Sequence, residues 1–172
     1  MTDVVIRTGR KEDAEALDAL IRSHQTEGHL LPRDLEEIRR RADRFVVCES
    51  GGAIKACAEL APLSDKVAEV RSLVVARDFR RVGIAARLLG EVRTRARAAG
   101  FATLTAFTHD ARFFVRQNFS IVPHTFVPEK LVKDCTSCAL FRRCGQHAMV
   151  MPLAHAVRPA AKPVEERQVA VA

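Results

Sequence analysis

The stretch Arg80-Arg81-Val82-Gly83-Ile84-Ala85 joins two runs of contrasting pattern. Residues 67–76, before it, are rich in β-branched side chains and predict a strand. Residues 83–99 predict a helix that Gly100 ends, because apolar residues recur there at helical spacing, at Ile84, Leu88, Val92, Ala96 and Ala99. A helix entered in this way presents unpaired N–H groups and the positive end of its dipole to the loop. The stretch therefore predicts an anion site that suits a pyrophosphate.

The composition of this loop supports an anion site, although two better-known phosphate motifs are missing. Gly83 allows a close approach, Ala85 keeps its position small, and the two arginines, Arg80 and Arg81, add positive charge. The loop has neither the Gly-Lys-Ser/Thr of a Walker loop nor the Gly-x-Gly-x-x-Gly of dinucleotide-binding proteins. Taken alone, the stretch favours a plain strand-to-helix turn with solvated arginines, so its context decides.

The rest of the chain predicts an α+β domain with a mixed sheet and helices on both faces. Further strands are predicted at 4–7, 44–49, 53–61, 102–108, 119–127 (interrupted by Pro123) and 147–153. Helices are predicted at 11–25, 34–43 and 110–117, and residues 131–144 are predicted to be irregular. We expect one domain over residues 1–153, followed by a disordered tail at 154–172 whose Pro, Ala and alternating charges lack periodicity.

Length and composition exclude several protein classes. A chain of 172 residues suits one domain with a substantial core. No apolar run reaches the roughly 18 residues of a membrane span, and the N-terminus lacks the apolar region of a signal peptide, so we expect a cytoplasmic protein. The net charge is +7, but the signs are mixed along the chain and Trp and Tyr are absent, which disfavours nucleic-acid binding.

In this context the pattern Arg80-x-x-Gly83-x-Ala85 resembles the acetyl-CoA signature of the GNAT family of N-acetyltransferases, Gln/Arg-x-x-Gly-x-Gly/Ala. Residues 111–119 resemble a later segment of that family, Ala-x-x-x-Tyr-x-x-x-Gly-Phe. In element order the resemblance extends to about Leu153. It implies a splayed sheet, acetyl-CoA as co-substrate, and direct attack by an amine in a ternary complex.

The resemblance also implies which residues hold acetyl-CoA. The pantetheine arm is expected along the backbone of the strand, at Leu73, Val74 and Val75. The pyrophosphate is expected on the loop and the first helical turn, at Arg80, Arg81, Val82, Gly83, Ile84, Ala85 and Ala86. Phe114 occupies the position at which the family has a Tyr near the cofactor.

Proton transfer must proceed without that Tyr, because the chain contains none. The departing thiolate is a tolerable leaving group, and Thr108 and Ser72 are weak candidates to protonate it. Glu69, on the strand expected to hold the cofactor, is the candidate general base, with His109 second. The alternative for Glu69 is a structural pairing with Arg71, two residues along the same strand face.

The acceptor is suggested by a closer resemblance to the short bacterial N-acetylglutamate synthases. It covers residues 27–33, 45–49, 57–60, 68–73 and 113–114, together with Pro128-Glu129-Lys130 and the cysteines that follow. The Phe in place of Tyr is shared with that group. Asn118 in place of Gly and Glu59 in place of the commoner Ala are departures, and the 172 residues hold no amino-acid-kinase domain.

Glutamate carries two carboxylates, so a pocket for it needs fixed cations. The candidates on the matching segments are Arg33, Arg71 and Lys130, and the alternative for each is an ordinary surface charge. Two other functions stay open. One is an acetyltransferase for another amino acid, a polyamine or a protein amine; the other is a non-catalytic acyl-CoA-binding module. Members of the family often form homodimers through their sheets, and the sequence leaves the oligomeric state open.

Four possible metal ligands cluster late in the chain, in the pattern Cys-x2-Cys-x5-Cys-x2-His formed by Cys135, Cys138, Cys144 and His147. Three thiolates and an imidazole could complete a tetrahedral zinc site. Redox-active thiols, idle thiols and iron–sulfur ligation are the alternatives. The five cysteines, an odd number without a signal peptide, argue against a secreted disulfide framework.

Overall fold

The computed structural model describes residues 4–25 and 32–153. Within them a seven-stranded mixed sheet forms in the order β1-β2-β3-β4-β5-β7-β6. The strands are β1 Val4–Thr8, β2 Phe45–Ser50, β3 Ala53–Pro62, β4 Val67–Val75, β5 Thr103–Thr108, β6 Ser120–Val122 and β7 His147–Pro152. Only β4 and β5 pair in parallel, and the other neighbours are antiparallel.

The helices are α1 Ala14–Gln25, α2 Leu35–Arg40, α3 Ile84–Ala98, α4 Ala111–Arg116 and the single turn α5 Pro128–Lys130. None of the helices in these described ranges is long and apolar enough to cross a membrane. The tail expected at 154–172 lies outside the described residues.

Three predicted elements differ from the structure. The helix expected to reach residue 43 ends at Arg40, because the Arg41 N–H is shared between the carbonyls of Glu37 and Ile38 and the chain tightens into a 3-10 turn. The strand expected over 119–127 is only Ser120–Val122, since Pro123 has no N–H to donate. The segment expected to be irregular begins with a wide helical turn, Leu131–Cys135, that continues α5.

Helices cover both faces of the sheet, as predicted. Along β2 the side chains alternate: Val46 and Cys48 pack on the α3 side, whereas Phe45 and Val47 pack on the side of α1 and α2. The α3 side is filled by residues such as Leu88, Val92 and Leu104, and the opposite side by Leu17, Ile21 and Ile38. This confirms the predicted α+β architecture.

A bulge in β4 interrupts this alternation. Cys57 of β3 faces Val74, but two residues later Glu59 faces Arg71, so β4 holds one extra residue. Ser72 lies in the bulge with a φ of 48°, in the left-handed region. In a regular strand Val70 and Val74 would face the same way, whereas here they belong to the cores on opposite sides of the sheet. The bulge therefore changes which face each later residue of β4 presents.

The sheet also opens where the bulge begins. β4 and β5 are paired only from Val67–Thr103 to Val70–Ala106. Beyond Ala106, β5 keeps its pairing with β7 through Thr108, so the two parallel strands separate. This divergence is the splayed sheet that the family resemblance implied, and it creates the cleft described below.

The α3 core gives a test of packing. We expect Leu88→Ala to lower the free energy of unfolding by about 3 kcal/mol, because Leu88 is fully buried and its removal leaves a cavity. The matched control is Leu140→Ala, the same chemical change at a half-exposed side chain, with an expected loss under about 1 kcal/mol. Urea unfolding of both variants measures the difference, and equal losses would contradict the assignment of Leu88 to the core.

Candidate active site

A cleft of about 740 Å³ lies between the diverging strands. One wall is β4 from Glu69 to Val75, and the other is the end of β5 with the start of α4. Its two ends differ in character. At one end are Arg80 and Ala85, from the loop and first turn of α3, and at the other are charged side chains, chiefly Arg33, Glu37, Lys130, Lys133 and Asp134.

The loop before α3 has the backbone of an anion site. Gly83 caps the helix with a φ of 83°, and Arg81 also has a positive φ, of 65°. The first helical bond runs from the Arg87 N–H to the Gly83 carbonyl, so the N–H groups of the first turn have no partner within the helix. Among the described residues, no atom lies within 4 Å of a Cβ placed on Gly83. The space in front of the loop is thus open to a ligand.

Most of the residues expected to contact the cofactor lie near the cleft. Leu73, Val74, Val75, Arg80, Ala85 and Phe114 line it directly. Arg81, Val82, Gly83 and Ala86 lie in the loop or the first turn beside it, outside the lining. Ile84 instead points into the α3 core, because it begins the apolar stripe of the helix.

Two side chains, from Arg80 and His24, contact the carbonyl oxygen of Val75 at the end of β4, and the sequence did not predict this. The Arg80 Nε–H donates to it at 3.1 Å, and Nε2 of His24 lies 3.1 Å from it. His24 is a buried residue that lies on the apolar face of α1 below Leu17 and Ile21. A polar residue on an apolar stripe was the signal that could have identified it.

Arg33 is held at the charged end by three elements. Its Nη1 donates to Glu59 Oε2 of β3 at 2.8 Å and to Ser72 Oγ in the β4 bulge at 3.0 Å. Its Nη2 donates to Glu37 of α2 at 3.3 Å. The Arg33 side chain is only 12% exposed, so Arg33 is not the ordinary surface charge that was the alternative.

Glu69 lies in a second group of charges. It accepts hydrogen bonds from Arg71 Nε at 2.6 Å and from Lys130 Nζ at 2.8 and 2.9 Å. Asp134 accepts from the same two cations. Burial alone would raise the pKa of the Asp134 carboxyl, but the Lys130 hydrogen bond and the Arg71 charge outweigh burial and lower that pKa. The pairing of Glu69 with Arg71 that the sequence offered as an alternative is thus present.

The remaining candidates for proton transfer lie at the β5 side of the cleft. The Thr108 hydroxyl is engaged in a local turn, accepting from the Asp110 N–H at 3.1 Å. His109 lines the cleft beside it. Phe114 packs edge-on between Phe113 and Phe119, with ring centroids 5.2 Å from each. The position of the family's Tyr is therefore filled by an apolar ring that excludes water.

Comparison with known proteins supports the geometry. Residues 13–119 match the model of the acetyltransferase (GNAT) family. An uncharacterised N-acetyltransferase of Chlorobaculum tepidum is 30% identical over 151 residues, covering 88% of this chain and 97% of that protein. The chain belongs to the GNAT family.

Two further relatives of this GNAT chain carry more specific names. The amino-acid acetyltransferase of Azotobacter vinelandii is 36% identical over 116 residues, which is 66% of this chain but only 27% of that protein. The N-acetylglutamate synthase of Neisseria gonorrhoeae, complexed with coenzyme A and N-acetyl-glutamate, superposes with a TM-score of 0.79 at 26% identity. The superposition covers 90% of this chain and 36% of the Neisseria gonorrhoeae chain. The chain thus spans about a third or less of these two named relatives.

The predicted metal centre of this GNAT chain is not supported. In residues 4–25 and 32–153, which include all four proposed ligands, no group of three or more His, Cys, Asp or Glu side chains is placed to hold a metal ion. Cys135 and Cys138 are half-buried on one turn and Cys144 is exposed. The short spacing in the sequence brought the residues into one segment, but the segment does not turn their side chains toward a common point.

Native-state alkylation tests this placement of the thiols. We expect iodoacetamide at pH 8 to modify Cys144, which is exposed, and to spare Cys57 until the protein is denatured. Complete burial, and secondarily the charge of Glu59, raise the pKa of the Cys57 thiol to about 12, so its reactive thiolate is scarce at pH 8. Mass spectrometry of tryptic peptides measures both, and equal labelling rates in the native protein would contradict the burial of Cys57.

Proposed function

We propose that this protein transfers the acetyl group of acetyl-CoA to the α-amino group of L-glutamate, by direct attack in a ternary complex. The observation that supports a carboxylate-bearing acceptor most directly is Arg33, whose largely buried side chain is held by hydrogen bonds at the charged end of the cleft. The likeness to the Neisseria gonorrhoeae synthase, which is complexed with coenzyme A and N-acetyl-glutamate, supports glutamate in particular.

Acetyl-CoA is proposed to occupy the loop end of the cleft. The pyrophosphate accepts from the first-turn N–H groups of α3 and from Arg80 and Arg81. The pantetheine arm lies along Leu73, Val74 and Val75, where, within residues 4–25 and 32–153, β4 has no strand partner on the cleft side. Because Arg80 donates to the Val75 carbonyl without a ligand, it turns from that oxygen to the phosphates when acetyl-CoA binds.

L-Glutamate is proposed to occupy the charged end. Arg33 uses three of its five N–H groups on Glu59, Ser72 and Glu37, and keeps two for a carboxylate. Arg71 and Lys130 are the proposed partners of the second carboxylate. Both already contact Glu69 and Asp134, so the substrate shares these cations with them.

The reaction removes two protons from the acceptor nitrogen, one before and one after attack, and supplies one to the leaving thiolate. Glu69 is proposed to accept the proton of the substrate ammonium through a water molecule, after which the amine attacks the thioester carbonyl and the C–S bond breaks. Once the C–N bond has formed, the nitrogen loses its second proton, and the thiolate of CoA, which leaves with the electron pair, takes up one proton. Ser72 and Thr108 are the proposed source of a hydroxyl for that step, since Phe114 supplies none.

Turnover with a panel of acceptors tests the proposal. Release of the CoA thiol should be fastest with L-glutamate, and much slower with L-aspartate, a polyamine or a peptide with a free N-terminus. A faster rate with another amine would assign the acceptor differently. Acetyl-CoA binding without turnover on any amine would instead indicate a non-catalytic binding module.

Arg33→Ala tests the acceptor end. We expect the KM for L-glutamate to rise at least tenfold and the KM for acetyl-CoA to change less than twofold, since a charge-assisted hydrogen bond contributes about 1.5–3 kcal/mol. Arg22→Ala is the matched control, because Arg22 pairs with Asp18 on the exposed surface of α1. Equal effects of Arg33→Ala on both KM values would contradict the proposed role.

Gly83→Ala tests the donor end. The variant should weaken acetyl-CoA binding at least tenfold, because its methyl group projects into the open space in front of the loop. Gly100→Ala is a close control: Gly100 has a φ of 82° and, among the described residues, no atom near its Cβ position, but it lies at the far end of α3. Both variants should lose about 1 kcal/mol of stability from backbone strain. Calorimetric titration with acetyl-CoA separates the effects, and equal affinities in the two variants would refute the loop as the phosphate site.

A further inference from the structure

Glu59 presents an energetic problem that the proposed reaction does not explain. Its side chain is completely buried in the middle of β3. Placing a carboxylate there costs several kcal/mol unless a partner compensates for the lost water. In the described part of the chain, Arg33 alone hydrogen-bonds it, through Oε2, and Oε1 is buried without a partner. Among the described residues, the group on which this buried carboxylate acts directly, through a hydrogen bond, is therefore the Arg33 guanidinium.

The effect of Glu59 on Arg33 is to fix its orientation. The bond from Nη1 to Glu59 is the shortest of the three that Arg33 makes, and its acceptor is the most deeply buried. With Ser72 taking the second Nη1 proton, rotation of the planar guanidinium would break two bonds at once. The two N–H groups that remain, on Nη2 and Nε, are therefore held in one direction.

The charge of Glu59 also matters. It offsets the positive charge of Arg33 inside the protein, and Glu37 lies on the other side of the same guanidinium. An arginine balanced in this way attracts distant anions weakly. It recognises a carboxylate by the direction and spacing of its N–H groups, which need precise placement.

We propose that Glu59 is a positioning residue for the acceptor: it holds Arg33 so that its remaining N–H groups meet one carboxylate of the amino-acid substrate. This inference rests on the proposed function, since it requires Arg33 to bind the acceptor. Glu59 acts through Arg33 and does not touch the substrate, as it does not line the cleft.

A double-mutant cycle of Glu59→Gln and Arg33→Ala tests the inference. Gln keeps the size of Glu59 but removes its charge, so we expect the KM for L-glutamate to rise about tenfold, with the KM for acetyl-CoA changed less than twofold. In the Arg33→Ala background the same Glu59→Gln substitution should change the KM for L-glutamate less than twofold. If Glu59→Gln only damaged the structure, the KM values for both substrates would change, and they would change also in the Arg33→Ala background.

Glu49→Gln is the matched control. Glu49 also pairs with an arginine, Arg7, at 2.7 Å, but on β2 and outside the cleft lining, so neither KM should change. Glu59→Asp keeps the charge on a shorter side chain. It provides a second cycle if thermal unfolding shows that the Glu59→Gln variant is not folded. It should raise the KM for L-glutamate while Arg33 is present and leave it unchanged once Arg33 is removed.

The outcomes separate this inference from the proposed function. If Arg33→Ala raises the KM for L-glutamate and Glu59→Gln does not, the positioning role is refuted and the acceptor site stands. If the two effects multiply in the double mutant, Glu59 acts independently of Arg33 and the inference is again refuted. If Arg33→Ala changes the KM of no amino acid, the acceptor assignment itself fails, and the inference fails with it.

Discussion

The site depends on the extra residue in β4. Without the bulge at Ser72, β4 would continue beside β5 and its alternation would stay in phase. With it, Glu69 and Arg71 face the side of α1 and α2, whereas Leu73 and Val75 pack toward α3. One strand thereby contributes charged side chains to one end of the cleft and an open backbone edge to the other. The positive φ of Ser72 is a strain of order 1 kcal/mol or more that this arrangement requires.

The charged end of the cleft is built from paired, not isolated, charges. Arg33, Arg71 and Lys130 each contact at least two carboxylates. Half-buried cations without such partners would lose hydration and gain nothing in exchange. Their pairing also makes the pocket nearly neutral before substrate arrives. A ligand that carries both an ammonium group and carboxylates, as the proposed acceptor does, can pair with charges of both signs in this pocket.

The sequence predicted the fold well because the fold depends on local patterns. β-branched runs, the stripe of α3 and the Gly83 loop are each legible within about fifteen residues. The bulge was not legible, since nothing in Arg-Ser-Leu indicates a left-handed Ser72. Nor were the partners of Arg33, because Glu59 and Ser72 lie 26 and 39 residues away along the chain. The metal site predicted in the Cys-rich segment was not supported, for the opposite reason. Spacing placed four ligands close together in sequence, but the direction of their side chains depends on a turn that spacing does not specify.

The two ends of the cleft also explain why the family was easier to recognise than the acceptor. The proposed donor end consists of main-chain groups: the N–H groups of the first α3 turn and the edge of β4 that faces the cleft. Recognition by main-chain groups requires only that certain positions have small side chains or a positive φ. Its trace in the sequence is therefore a short motif around Gly83. The proposed acceptor end is built from side chains of the segment before α2 and of α2, β3, β4 and α5. Each of these can change separately while the sheet stays intact, so an acceptor pocket leaves scattered single residues and no contiguous motif. Glu59 illustrates this, since in the sequence it was only a departure from the family, and its contact with Arg33 became visible only in the fold.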